Sequence, residues 1–240
     1  MNVRNEPLKS GLRVRVYSPK NEKPEYPALL WIHGDNEDLP LRIADELGMI
    51  VAAPAYRQTP EYPYPADVED CYEALVWMTE NLPVRKDRVA VAGQSAGGGL
   101  SAAVSLMARD KGGPALCFQM LLYPMLDHRN ITPSSFQIRG HRAWCRDFNL
   151  LALGMYLVNV SGDVPAYDSP SAADNLSGLP PAYGLDPFRD EDIAYAQRVM
   201  QAGVPVELRV IPGATHGAEA IFAEADMSIE TVKALAEAMK

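Results

Sequence analysis

Between Leu12 and Ile211, short apolar runs alternate with segments of helical periodicity, and no linker interrupts the rhythm. Such alternation predicts an α/β protein with a mostly parallel central sheet and helices on both faces. Leu12 to Tyr17 alternates at period two and predicts an outer strand, whereas Ala28 to Ile32 and Ile50 to Ala53 are solid apolar runs suited to buried strands. Leu41 to Leu47 reads as a helix. From Ala66 to Leu82, the positions Val68, Cys71, Tyr72, Leu75, Val76 and Met78 recur at helical intervals and predict an amphipathic helix. Arg88 to Ala92, Leu116 to Tyr123, Pro181 to Leu185 and Val204 to Ile211 complete the strands. Leu100 to Arg109, a stretch near Phe148 to Val158, Asp190 to Ala202 and Glu219 to Met239 complete the helices. Residues 125–160 break the rhythm with polar turns and predict a cap insertion within a single domain spanning 1–240, at strand ends where pockets form.

Composition narrows the function. The 240 residues carry 22 Lys and Arg against 31 Asp and Glu, a net charge of -9, so a phosphate backbone is repelled and nucleic acid is not expected as a partner. The 3 cysteines, Cys71, Cys117 and Cys145, form no C-x-x-C pair and predict neither a disulfide framework nor a zinc site. The N-terminal stretch lacks a signal-peptide core, and no run approaches the roughly 18 apolar residues of a membrane span. The expectation is a cytoplasmic protein with no membrane partner. The exposed edge of Val204 to Ile211 offers a pairing surface for a homodimer.

The stretch Val89 to Gly98, VAVAGQSAGG, places G-x-S-x-G at Gly93, Ser95 and Gly97 between an expected strand and an expected helix. In a nucleophile elbow the serine sits on a strained turn, and the flanking glycines are needed because a side chain there would strike neighbouring backbone. The next amide, that of Ala96, then faces the reacting carbonyl at a helix N-terminus. An unreactive serine in a tight turn is the alternative. A serine nucleophile needs a base, and the base needs an orienting acid. His216 lies in IPGATHGAE, after the last strand and before the last helix, which suits the base; a loop histidine bonded to backbone is the alternative. His33 precedes Ser95, against the order Ser, acid, His, and reads as loop structure. His128 and His141 fall in the insertion and read as surface or cap positions. His141 and Cys145 are too few ligands for zinc. Asp186 closes a short strand and suits the orienting acid, with a turn residue ahead of Pro187 as the alternative. Asp190, Glu191 and Asp192 follow in a first helical turn and read as capping charge.

Several stretches together resemble the hormone-sensitive-lipase-like esterases, bacterial family IV, of the α/β-hydrolase fold. They are Ile32 to Gly34 (IHG), Tyr56 to Asp70, Gly93 to Gly98, Leu121 to Asp127 (LLYPMLD), Leu176 to Tyr183, Asp186 to Asp192 and Pro212 to Gly217. The resemblance implies Ser95 as nucleophile, Asp186 as orienting acid, His216 as base, and a small-molecule ester of a short acyl group as substrate, with no cofactor and no metal. It also implies an oxyanion hole from the amide of Ala96 and from the loop Gly34, Asp35 and Asn36.

The chain departs from the family pattern at four places. Asp35 and Asn36 stand where the family carries the second and third glycines of its oxyanion loop, and that loop is shorter here. The strand before Asp186 is also shorter, Gln94 replaces the acid usual before the nucleophile, and the N-terminal part of the family's cap is absent before the first strand. Loss of one oxyanion donor would cost on the order of 2.7–4 kcal/mol. Two readings follow: a serine carboxylesterase for short acyl esters, and a catalytically impaired hydrolase-fold protein that binds a small apolar ligand. An amidase on the same triad ranks below both.

Overall fold

In the computed structural model, residues 1–21, 23–33, 38–138, 144–185, 188–210, 216, 217, 233 and 237 are described. Their strands are β1 (Asn2–Pro7), β2 (Arg13–Ser18), β3 (Tyr26–Ile32), β4 (Ile50–Pro54), β5 (Val84–Gln94), β6 (Phe118–Leu122), β7 (Ala182–Leu185) and β8 (Val206–Leu208). The helices are α1 (Asp38–Leu47), α2 (Ala66–Asn81), α3 (Ala96–Asp110), α4 (Pro133–Gln137), α5 (Arg146–Tyr156) and α6 (Arg189–Gln201). One sheet joins the strands in the order β1-β2-β4-β3-β5-β6-β7-β8. β1 pairs antiparallel with β2, and β2 antiparallel with β4; every later pairing is parallel.

Alternation along the central strands sends side chains to two faces. Leu29 and Trp31 of β3 join Ile43 and Ala44 of α1 on one side. Ala28, Leu30 and Ile32 pack on the other side against Val68, Leu75 and Met78 of α2 and against Val104 of α3. Both faces are dry, so β3 reads as one continuous apolar run. A third cluster, with Ala102, Leu121, Leu126, Tyr195 and Val199, seats α6 against β6 and the far side of α3. The strands therefore end together on the side where β5 turns into α3.

The structure extends the expected elements: β5 runs from Val84 to Gln94 and α1 starts at Asp38. β1 lies ahead of the first expected strand, and its Asn2 to Pro7 ladder pairs with Ser18 to Arg13. α3 begins at Ala96 rather than Leu100, so Gly97, Gly98 and Gly99 are its first buried turn instead of a separate turn. Within the insertion, α4 is an additional short helix. The expected strand from Val204 is confined to Val206–Leu208 up to residue 210. The expected C-terminal helix from 219 lies outside the described residues, apart from Lys233 and Glu237.

Candidate active site

β5 carries an apolar ladder up to Gln94, and the chain reverses at Ser95, whose φ of 57° and ψ of -122° lie in a region disfavoured for L-residues. Such a residue costs on the order of 1–3 kcal/mol and persists only where its surroundings over-determine it. Here the Ser95 amide donates to the Leu122 carbonyl at 2.9 Å, while its carbonyl accepts from the amides of Gly99 and Met125, each at 3.1 Å. The glycines make room. A Cβ on Gly97 would overlap the Ile32 carbonyl, one on Gly93 would overlap the Gly97 carbonyl, and one on Gly99 would overlap the Met125 carbonyl. Packing thus selects residues that are poor helix formers for the first turn of α3. Ala96 is exposed there, and amides in a first turn have no partner within their own helix.

His216 meets this elbow. Its Nε2 lies 2.8 Å from Ser95 Oγ. Tyr123 and Phe188 meet the imidazole edge-on, with ring centroids at 4.7 and 5.3 Å, and Trp144 lies 6.4 Å away. These rings keep water from the imidazole, and burial pushes its pKa down to about 4. The ring is therefore neutral at neutral pH, with a lone pair available to accept a proton. Its Nδ1 is buried and has no hydrogen-bond partner among the described residues.

Asp186 lies outside the described residues, as do Gly34, Asp35 and Asn36 of the expected oxyanion loop and His141. Their neighbours are placed. Leu185, at the end of β7, is in register with Leu122, the residue whose carbonyl receives the Ser95 amide. Phe188 follows the undescribed pair and touches His216. His33 ends its segment beside the elbow: its ring stacks on Tyr56 at 4.8 Å, and its carbonyl accepts from the Tyr56 hydroxyl at 2.7 Å. Cys145 is buried at the start of α5, and all three cysteines are free thiols. Among the described residues no group of three or more His, Cys, Asp or Glu could hold a metal.

Asp190, Glu191 and Asp192 lie in the first turn of α6, as expected, and two of them also reach other elements. The N-cap residue Phe188 offers no capping side chain, and the Asp190 amide donates to Ser134 Oγ at 3.3 Å. The Asp190 carboxylate accepts the Ser134 amide at 2.7 Å, and Glu191 Oε1 accepts the amides of Leu126 and Asp127 at 3.0 and 3.3 Å. They tie α6 to the chain that leaves β6, a tertiary role beside their place in the first turn.

A cavity of about 310 Å³ opens beside the elbow, with Ala96 and Gly99 in its lining. Asn149, Leu153 and Tyr156 of α5 form part of its wall, together with His128 and Trp144. Four carboxyl groups that the sequence did not mark as site residues also line it: Asp67, Asp127, Asp168 and Glu191. Asp67 is buried and accepts from the Val68 amide at 2.8 Å and the Tyr156 hydroxyl at 3.1 Å. Burial raises Asp67 to about 6, Asp168 to about 7 and Glu191 to about 8, with Asp67 adding to the shift of Asp168 by charge repulsion. Asp67 stands beside Glu69 and Asp70 at the acidic start of α2, so nothing in the sequence set it apart as a site residue.

A sheet of this topology, with a strained serine between strand and helix and a histidine against it, defines an α/β hydrolase. The alpha/beta hydrolase fold family matches residues 32–220. Carboxylesterase NlhH of Mycobacterium tuberculosis is 37% identical over 228 residues, covering 87% of this chain and 71% of its own length. The arylesterase of Saccharolobus solfataricus is 34% identical, covering 85% of this chain and 72% of its own length. Among solved structures, a bacterial heroin esterase superposes with a TM-score of 0.92 at 39% identity, over 99% of this chain and 83% of that one. The chain belongs to the α/β-hydrolase superfamily, within its hormone-sensitive-lipase-like carboxylesterases.

Proposed function

We propose that this serine ester hydrolase cleaves short-chain acyl esters through Ser95, His216 and Asp186. Ser95 Oγ attacks the ester carbonyl as His216 Nε2 takes its proton, and collapse of the tetrahedral adduct returns that proton to the departing alcohol. Water, activated by the same imidazole, then releases the acid from the acyl-enzyme. The Ala96 amide and amides of the Gly34, Asp35 and Asn36 loop hold the oxyanion. Asp186 orients the imidazole through Nδ1, the nitrogen left without a described partner.

The observation that carries this reading is the 2.8 Å contact between His216 Nε2 and Ser95 Oγ, which supports a reacting pair over a silent binding protein. The cavity of about 310 Å³ lies at the small end of ligand sites and favours short acyl groups. Residues 125–160 act as the cap of a single-domain hydrolase. Supporting this, the Tyr156 carbonyl of α5 accepts the Tyr64 amide at 3.1 Å, and α5 forms part of the cavity wall. No described helix is long and apolar enough to cross a membrane.

A fluorophosphonate probe tests the activated serine. Rapid labelling that is lost in Ser95→Ala is expected, whereas slow labelling equal in both proteins would contradict the reading.

A further inference from the structure

Resting on the esterase reading above, we propose that the cavity beside Ser95 receives the protonated amine of an amino ester, with Asp168 accepting its N–H and Asp67 adding negative charge alongside. Both carboxyl oxygens of Asp168 are shielded from water and have no hydrogen-bond partner among the described residues. Glu191, only 3% exposed, lines the same cavity, and its Oε2 also has no described partner. No described residue of the lining is Lys or Arg. The fourth lining acid, Asp127, is already paired with Arg129 and needs nothing further.

Carboxyl oxygens without donors are costly inside a protein, and a ligand that supplies N–H groups and positive charge relieves that cost. The surrounding rings suit a cation. Tyr156 bonds to Asp67 and meets Tyr64 edge-on with centroids 6.0 Å apart, while Tyr167 lines the same cavity. Aromatic faces near a carboxylate attract an alkylammonium and tolerate its methyl groups. An ester that places its carbonyl at Ser95 would then direct its amine toward these carboxyl groups.

The test uses Ser95→Ala, which binds without turnover, and two esters of matched shape: 3-(dimethylamino)propyl acetate and its carbon isostere 4-methylpentyl acetate. Calorimetric titration is run at about pH 8, where an alkylammonium keeps its proton. The amino ester is expected to bind at least about tenfold more tightly, as a charge-assisted bond implies. Adding Asp168→Asn or Asp67→Asn should remove most of that difference. Equal affinities, no measurable binding of the amino ester, or a difference that survives both substitutions would overturn the proposal. If neither substituted protein folds, the ratio between the two esters on Ser95→Ala decides alone. Turnover of 4-methylpentyl acetate by the unsubstituted protein reports separately on the esterase reading.

Discussion

His216 Nε2 lies 2.8 Å from Ser95 Oγ, although 121 positions separate the two residues. The parallel sheet creates this meeting by ending β5, β6 and β7 on one side, so that turns distant in sequence converge there. Burial among Tyr123, Phe188 and Trp144 then sets the proton affinity of the imidazole.

This burial yields a pH signature. The imidazole is pushed down to about 4 by its apolar surroundings, and in the proposed triad the Asp186 carboxylate would oppose that shift. The acidic limb of kcat/KM is therefore expected above about 4. Asp186→Asn should move the limb down toward about 4 and lower the plateau by about 10⁴-fold. A pH profile of both proteins checks this, and an unmoved limb would remove Asp186 from the role of orienting acid.

Glycine substitutions should separate the elbow from the cap. Gly97→Ala places a methyl against the Ile32 carbonyl, backbone against backbone, and is expected to cost about 3 kcal/mol along with activity. Gly154→Ala lies in exposed helix α5 with nothing near its added methyl, and should stabilise by about 0.5–1 kcal/mol. Urea denaturation of the two variants should give shifts of opposite sign.

Much of this was legible in the chain. The G-x-S-x-G setting and the position of His216 depend on local order, which strand and turn patterns report directly. β1 was not legible because its residues, NVRNEP, are almost all exposed. A polar edge strand is held by backbone hydrogen bonds and has no hydrophobic period to reveal it. The first turn of α3 was hidden for the opposite reason, since the close approach of Ile32 and Met125 demands glycines that propensity assigns to loops. Asp67 and Asp168 share a cavity only because α2, α5 and the chain before Ser169 fold together, and no local pattern records that meeting.

Buried acids give the fold a second pH dependence. The Glu191 carboxyl rises from 4.5 to about 8, so the native state keeps a proton that the unfolded chain releases. Its contribution is complete below 4.5 and is lost as pH rises through about 8. Asp168 and Asp67 act in the same sense up to about 7 and 6. His216, whose value burial lowers, works oppositely: its contribution is present above 6.5 and is lost as pH falls through the lowered value. Stability should therefore decline between about 4.5 and 8, and Glu191→Gln, which keeps the acceptor for Leu126 and Asp127, should flatten that decline. Denaturation midpoints across this window provide the check, and an unchanged slope in Glu191→Gln would contradict it.

The reacting pair of Ser95 and His216 is tested by hydrolysis of p-nitrophenyl acetate and its longer acyl homologues. Turnover is expected to favour short acyl chains and to fall by at least about 10³-fold in Ser95→Ala. Turnover no faster than that of a folded Ser95→Ala protein would contradict the reacting pair.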